Sequence, residues 1–112
     1  MRSQESDEIS KDFHAFALYC LWHSTSYWDA IKQLKRQFSQ LSTNDIREVY
    51  KRAKQLDSCI TEILFKIDEK DLAGDAGPEY RAVLSVLKQK CPGLSETAYK
   101  LAANKTMYLY FK

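Results

Sequence analysis

One apolar seam in the middle of the chain restricts the fold more than any other feature. Between Ile46 and Ile67, apolar residues recur in steps of 3, 4, 3, 4, 3 and 4. These steps follow one face of an α-helix and continue for about three heptads. We therefore predict a helix from Thr43 to about Lys70, roughly 40 Å long at about 1.5 Å per residue. The seam residues are Ile46, Val49, Ala53, Leu56, Ile60, Ile63 and Ile67.

This seam needs an apolar partner, which can come from the same chain or from a second copy. With 112 residues, 45% of them hydrophobic, the chain can form one domain with its own core. We therefore expect the seam to pack inside its own chain. A homodimeric coiled coil is the alternative, because about three heptads are near the minimum for that assignment. The predicted state is accordingly a monomer or a homodimer.

Two shorter helices precede the seam helix. The first opens near Ser6 and is apolar on almost its whole circumference, which is typical of a buried helix. The second runs from Tyr27 to about Gln40, and Ser26 is placed to cap its first turn. Ser42 is placed in the same way to cap the seam helix.

Two further helices follow a loop over residues 72–78 that contains two of the three glycines. Pro78 suits the first position of the fourth helix, because its fixed backbone angle matches the helix and no amide proton is needed there. Ser95 is placed to cap the fifth helix, which then continues to the end of the sequence.

The predicted fold is an all-α antiparallel bundle of about five helices, in a single domain over 1–112. Two αα-hairpins, over 27–70 and 78–112, enclose a buried N-terminal helix. The hairpins resemble each other, since 27–56 lies on 80–109 at a constant offset of 53 with six identities. A duplication and the capping chemistry common to all helical hairpins both explain this similarity.

Composition argues against other fold classes and against a membrane protein. Three glycines and two prolines are too few for a turn-rich β-sandwich. The longest apolar run, Ala15–Trp22, has eight residues, whereas a membrane helix needs about 20. Acidic residues near the start do not suit a signal peptide, and three cysteines at unrelated spacings suggest reduced thiols. We predict a cytoplasmic protein that does not insert into a membrane.

Charge is segregated along the chain, although the net charge is only +2. Residues 32–54 carry seven basic and two acidic side chains, whereas residues 57–79 carry seven acidic and two basic ones. Three basic residues at helical spacing form a stripe on the seam helix, and Lys35 and Arg36 approach it across the preceding turn; the stripe and Arg36 are the selected contacts. These are Arg47, Lys51, Lys54 and Arg36. A solvated face and a docking site for an acidic protein or for phosphates both fit this stripe.

Aromatic residues near the end of the sequence supply a second candidate contact. The chain has two Trp, seven Tyr and five Phe, more than so small a bundle can bury completely. A helix over the last residues must direct some large side chains to solvent or to a partner, and we select Tyr110 and Phe111 as anchors. Packing of this end against the first helix is the alternative.

Motifs for catalysis or metal binding are almost absent. Glycines at 74, 77 and 93 cannot form a phosphate-binding loop. His14 and His23 cannot be paired by spacing with a nucleophile and an acid. Cys20 and His23 could supply half of a metal site, but the other cysteines are isolated. We predict no catalytic residue, no cofactor and no metal, and therefore not an enzyme.

The favoured interpretation is a non-enzymatic protein-binding module that docks onto an acidic surface of another protein. Small bacterial immunity proteins and antitoxins, which neutralise a partner in this way, have the same size and helical class. That analogy rests on no motif. The predicted partner-binding residues are Arg36, Arg47, Lys51, Lys54, Tyr110 and Phe111.

The alternative is a helix-turn-helix regulator that binds DNA through residues 27–54. A capped helix after a short turn, with Asn44, Arg47, Lys51 and Arg52 near its start, has side chains suited to phosphates and base edges. Against this interpretation, the turn contains no glycine, and the seam helix is about twice as long as a typical recognition helix.

Overall fold

The structure, a computed structural model, describes residues 8–65, 73–74 and 77–111 and confirms an all-α bundle. Residues 8–11 are helical. Within the described ranges, the only β structure is an antiparallel pairing of β1 with β2. The elements are α1 (Phe13–His23), α2 (Tyr27–Gln37), α3 (Thr43–Phe65), β1 (Ala73–Gly74), β2 (Gly77–Pro78), α4 (Tyr80–Lys90) and α5 (Glu96–Phe111).

Helix α1 lies at the centre of the bundle, in contact with α2, α3 and α5. Four of its side chains have no accessible surface: Ala15, Ala17, Leu18 and Cys20. The expectation of a buried first helix is therefore confirmed. Tyr19 and His23 are exposed, and the remaining five side chains of α1 are partly buried.

The predicted start near Ser6 lies outside the described residues, but the single predicted helix is divided, because Asp12 interrupts the helical backbone at φ −98° and ψ 115°. The Asp12 carboxylate accepts a hydrogen bond from the Ala15 amide at 2.9 Å, so it caps a new helix that begins at Phe13. Residues 1–7 lie outside the described part of the chain.

The first hairpin has both predicted caps. Ser26 accepts a hydrogen bond from the Asp29 amide, and Ser42 accepts one from the Asp45 amide, each at 3.1 Å. Helix α2 ends at Gln37 and not near Gln40.

The early end of α2 follows from the packing of one ring. Phe38 leaves the helical conformation, and its ring packs on Phe13 and Phe16 of α1 with centroids 5.1 Å and 5.9 Å apart. Burying this ring against α1 therefore takes the place of another turn of helix.

The apolar seam of α3 forms the other side of the core. Six seam residues are buried: Ile46, Val49, Ala53, Leu56, Ile60 and Ile63. Ile67, and the predicted continuation of the helix to Lys70, lie outside the described residues. The seam packs against α1, α2, α4 and α5 of the same chain.

The second hairpin begins later than predicted. Pro78 belongs to β2, and Glu79 takes the N-cap position, so α4 starts at Tyr80. Pro78 is thus not the first residue of the helix. The predicted cap of α5 is confirmed, since Ser95 Oγ accepts a hydrogen bond from the Ala98 amide at 3.2 Å.

Helices of the two hairpins begin or end at corresponding residues when the sequence is shifted by 53 positions. Tyr27–Gln37 corresponds to Tyr80–Lys90, and the first residues of α3 and α5 correspond as well. The residues after the first helices, Phe38 (φ −122°, ψ 61°) and Cys91 (φ −137°, ψ 69°), share one backbone conformation. The similarity in sequence is therefore matched by a similarity in structure, which duplication and shared capping chemistry still explain equally.

Because the seam of α3 is buried, a charged residue introduced there should strongly reduce the free energy of unfolding. Ile60 is 2% exposed, so Ile60→Asp places a carboxylate where no partner is available, at a cost of several kcal/mol. We expect loss of the cooperative thermal transition in circular dichroism. The control is Ser58→Asp at an exposed position of α3, which should unfold near the parent temperature. A fully folded Ile60→Asp variant would contradict the seam assignment.

Candidate functional site: a basic face on the first hairpin

Helix α3 presents the predicted basic stripe to solvent. Arg47, Lys51 and Lys54 are all exposed and follow one another at steps of four and three residues. Successive residues are about 100° apart around a helix, so these three side chains lie on a different side of α3 from the buried seam. The three charges span about 10.5 Å along the helix axis.

Helix α2 carries a second row with the same spacing. Trp28, Lys32 and Lys35 are exposed at steps of four and three residues. The two helices are antiparallel: Tyr27 contacts Tyr50 at one end, and Lys35 Nζ donates to the Leu41 carbonyl at the other, at 2.6 Å. With α1 packed on the opposite side, both rows border the outer surface of the hairpin.

We call this surface the basic face. It is defined by Trp28, Lys32 and Lys35 on α2 and by Arg47, Lys51 and Lys54 on α3. The axes of helices in contact lie about 8–10 Å apart, so the strip of surface between the two rows is about as wide as each row is long. We call this strip the groove.

An aromatic cluster closes one end of the basic face. The Tyr27 ring packs edge-to-face on Trp28 and on Tyr50, with centroids 5.2 Å and 5.3 Å apart. Lys54 Nζ lies 5.9 Å from the centroid of the Tyr50 ring, within range of a cation–π interaction. Trp28 itself is 62% exposed, although it is one of the most apolar side chains in the protein. Such a residue is a candidate anchor for a partner.

No carboxylate neutralises the basic face within the described residues. The two ion pairs there, Lys88–Glu96 at 2.9 Å and Lys90–Glu62 at 3.3 Å, involve the second hairpin. The Asp29 carboxylate accepts hydrogen bonds from the Thr25 amide and the Gln33 side chain, next to α1. The face therefore presents five cations without a bound counter-charge, and it attracts anionic surfaces.

Two other basic residues of this hairpin have different positions. Arg36 is exposed but lies about 100° around α2 from Lys35, so it borders the basic face without belonging to either row. Arg52 is turned away, because its Nη2 donates to the Pro92 carbonyl. Gly93 follows with φ +88°, and a Cβ there would come within 2.8 Å of Arg52 Nη2.

The predicted aromatic anchors are at the end of α5, in the second hairpin. Lys105 of α5 lies over the Trp22 ring at 5.0 Å, and Trp22 donates to Asp57, which places these residues level with Asp57 on α3. Tyr110 follows Lys105 by about 7.5 Å along α5 and is 37% exposed. Phe111 is the last residue of α5, and its side chain lies outside the described part of the chain. The structure therefore brings the basic stripe together with Trp28 and not with Tyr110.

Sequence reasoning missed Trp28 and Lys32 for an identifiable reason. Their spacing with Lys35 was visible, but the relevance of that row depends on which side of α2 packs against α1. The signal that could have found them is the repeated step of four and three residues, at 28, 32 and 35 and at 47, 51 and 54.

A second polar cluster joins the starts of α1 and α5. Ser95 Oγ donates to Asp12 Oδ1 at 2.6 Å, and the Ser95 amide donates to His14 Nδ1 at 2.9 Å. An aspartate, a histidine and a serine thus meet, which spacing alone did not reveal. The connections differ from those of a nucleophilic triad, because the hydroxyl proton faces the carboxylate and the imidazole accepts from backbone. This cluster fastens two helix caps to each other.

The cysteines do not form a reactive or metal-binding group in the described residues. Burial, and to a lesser extent Asp29, raises the pKa of Cys20 to about 12. Burial also raises the pKa of Cys59 and of Cys91. These thiols stay protonated near neutral pH and are weak nucleophiles. No group of three or more potential metal ligands occurs in the described part of the chain.

No protein-family model, curated protein or solved structure matches this chain. Among the described residues, no helix has both the length and the apolarity that crossing a membrane requires. The basic face is therefore interpreted from its own geometry and charge.

The cluster of Asp12, His14 and Ser95 predicts a loss of stability in mild acid. Burial lowers the pKa of His14 most; Asp12 opposes this shift and Arg52 adds to it. The folded state thus resists protonation, so the contribution of His14 to the free energy of unfolding is fully present above its ordinary pKa of about 6.5 and is lost as the pH falls below it, since the unfolded state takes up a proton first. Protonated His14 would also lose its role as acceptor for the Ser95 amide.

His14→Asn keeps an acceptor near the position of Nδ1 and removes the titration. Urea unfolding between about pH 7 and pH 5 should therefore show a shallower decline than in the parent. The control is His23→Asn, at an exposed position of α1, which should retain the decline of the parent. An unchanged pH dependence in His14→Asn would show that other groups cause the decline.

Proposed function

We propose that this chain is a non-enzymatic protein-binding module whose basic face docks onto an acidic surface of another protein. The observation that carries this proposal is the pairing, on one hairpin, of an exposed tryptophan with five cations that have no ion-pair partner among the described residues. Cations steer the encounter with an acidic partner, and an aromatic side chain that becomes buried supplies much of the binding free energy. Neutralisation of a partner protein by a small immunity or antitoxin protein would use such a surface.

Binding of DNA is the second candidate, and two observations make it less favoured. A helix-turn-helix motif sets its helices at about 90–120°, whereas the ring contact between Tyr27 and Tyr50 favours an antiparallel hairpin. The guanidinium of Arg52, selected for base or phosphate contact, is instead bound to the Pro92 carbonyl. Trp28 also has no evident role against a duplex backbone.

The test compares two double variants that remove the same charge. Arg47→Ala/Lys51→Ala alters the basic face, and Arg81→Ala/Lys100→Ala removes two exposed cations of the second hairpin. In affinity capture from cells that express the protein, we expect one stoichiometric partner, lost in the first variant and retained in the second. Binding to random duplex DNA is measured in parallel by fluorescence anisotropy.

Position-specific crosslinking distinguishes the two candidate anchors. A photoreactive residue at position 28 should crosslink to the captured partner, whereas one at position 110 should do so only if the predicted C-terminal anchor takes part. Salt-sensitive DNA binding that is lost in Arg47→Ala/Lys51→Ala, with no protein partner, would overturn the proposal in favour of a DNA-binding regulator.

A further inference from the structure

We propose that the segment docking on the basic face is an acidic amphipathic helix, held at one end by Trp28. This inference rests on the proposed function and adds the conformation and chemistry of the partner segment. Three features of the structure support it: the spacing of the two rows, the aromatic end of the groove, and the way the second hairpin uses the corresponding surface.

The spacing of the cations matches that of a helix. The three cations of α3 advance by four and three residues and span about 10.5 Å, which is also the span of carboxylates at positions i, i+4 and i+7 of a helix; the α2 row has the same spacing, with Trp28 in place of its first cation. An extended strand places alternate side chains about 6.8 Å apart, so three of them span about 13.6 Å. A helix about 10 Å across can also direct carboxylates to both rows at once, since the rows lie on adjacent helices.

The aromatic end of the groove requires an apolar contact from the partner. Trp28 packs on Tyr27, which in turn packs on Tyr50, so the exposed indole is held from one side in the free protein. A pre-positioned side chain loses less conformational entropy on binding. An acidic helix with an apolar side chain at one end of its contact face would cover this indole, whereas an entirely acidic segment would leave it exposed.

The second hairpin shows a related arrangement within the same molecule. At the offset of 53, Tyr27, Arg47 and Lys51 correspond to Tyr80, Lys100 and Asn104. These three residues line a cavity of about 270 Å³ whose other lining residues include Glu8 and Ile9.

Glu8 and Ile9 belong to the helical residues 8–11. Lys100 and Asn104, the counterparts of Arg47 and Lys51 in the basic face, therefore line a cavity together with one carboxylate and one apolar side chain of this helical stretch, and Lys11 of the stretch lines a neighbouring pocket with Lys100. Within the described residues, no such stretch covers the basic face of the first hairpin. We infer that a helix of the same character, supplied by the partner, occupies it.

The experiment uses two fluorescent peptides of identical composition. In the first, a side-chain staple holds a helix with Glu at i, i+4 and i+7 along two flanks of a leucine stripe. In the second, the order of residues is scrambled so that the charges surround the helix. We expect the first peptide to bind the full-length protein about tenfold more tightly by fluorescence anisotropy, a difference of about 1.4 kcal/mol.

Variants localise the binding on the protein. Lys51→Glu should abolish binding, and Trp28→Ala should remove the preference for the first peptide. The control Arg81→Glu should change neither, because Arg81 is the exposed residue that corresponds to Trp28 on the second hairpin. Circular dichroism of each variant verifies that it is folded.

The other outcomes separate the inference from the proposed function. Equal binding of both peptides, lost in Lys51→Glu, would overturn the helical partner and leave an acidic partner supported. Binding of single- or double-stranded DNA in place of both peptides would overturn both proposals, as would failure of every probe to bind. Light scattering at twice the mass of the chain, reduced by Lys51→Glu, would identify a second copy as the occupant and overturn the inference.

Discussion

The burial of α1 is the constraint on which the rest of the structure depends. This helix is apolar on nearly all sides, so a single neighbour could cover only part of it. It contacts α2, α3 and α5, and only Tyr19 and His23 among its side chains are exposed, the others being buried or partly buried. Each hairpin thus contributes to enclosing one helix, and the apolar seam of α3 supplies the longest contact.

Contacts between chain ends and turns fix how the hairpins close around α1. Asp12 and Ser95, 83 residues apart, cap α1 and α5 and are bonded to each other, with His14 bound to the Ser95 backbone. Arg52 of α3 donates to the Pro92 carbonyl in the turn between α4 and α5. These bonds satisfy polar groups that helix ends would otherwise leave unpaired. They hold α1, α3 and α5 in register at one end of the bundle.

The same packing leaves one outer surface that no element in the described part of the chain covers. Because α1 lies on one side of the first hairpin, the two rows of the basic face border its opposite side. On the second hairpin, two of the corresponding residues, Lys100 and Asn104, line a cavity with Glu8 and Ile9 of the helical stretch 8–11. The asymmetry between two hairpins of the same design directs attention to the first as a surface for another molecule.

The sequence by itself determined the helices and their caps, because these depend on local periodicity and on side chains that bond to nearby amides. The seam at Ile46, Val49, Ala53, Leu56, Ile60 and Ile63 and the caps at Ser26, Ser42 and Ser95 are of this kind. The three cations of α3 also share one exposed face, as their spacing requires.

Only the tertiary structure decided where helices end and which surfaces meet. Helix α2 ends at Gln37, before the predicted Gln40, where the Phe38 ring packs on α1. Helix α1 begins at Phe13, where Asp12 caps it and also bonds to Ser95. The pairing of the α3 row with Trp28 and Lys32, and the distance of Tyr110 from it, follow from how helices lie against one another. Such contacts join residues far apart in the chain, and no local periodicity encodes them.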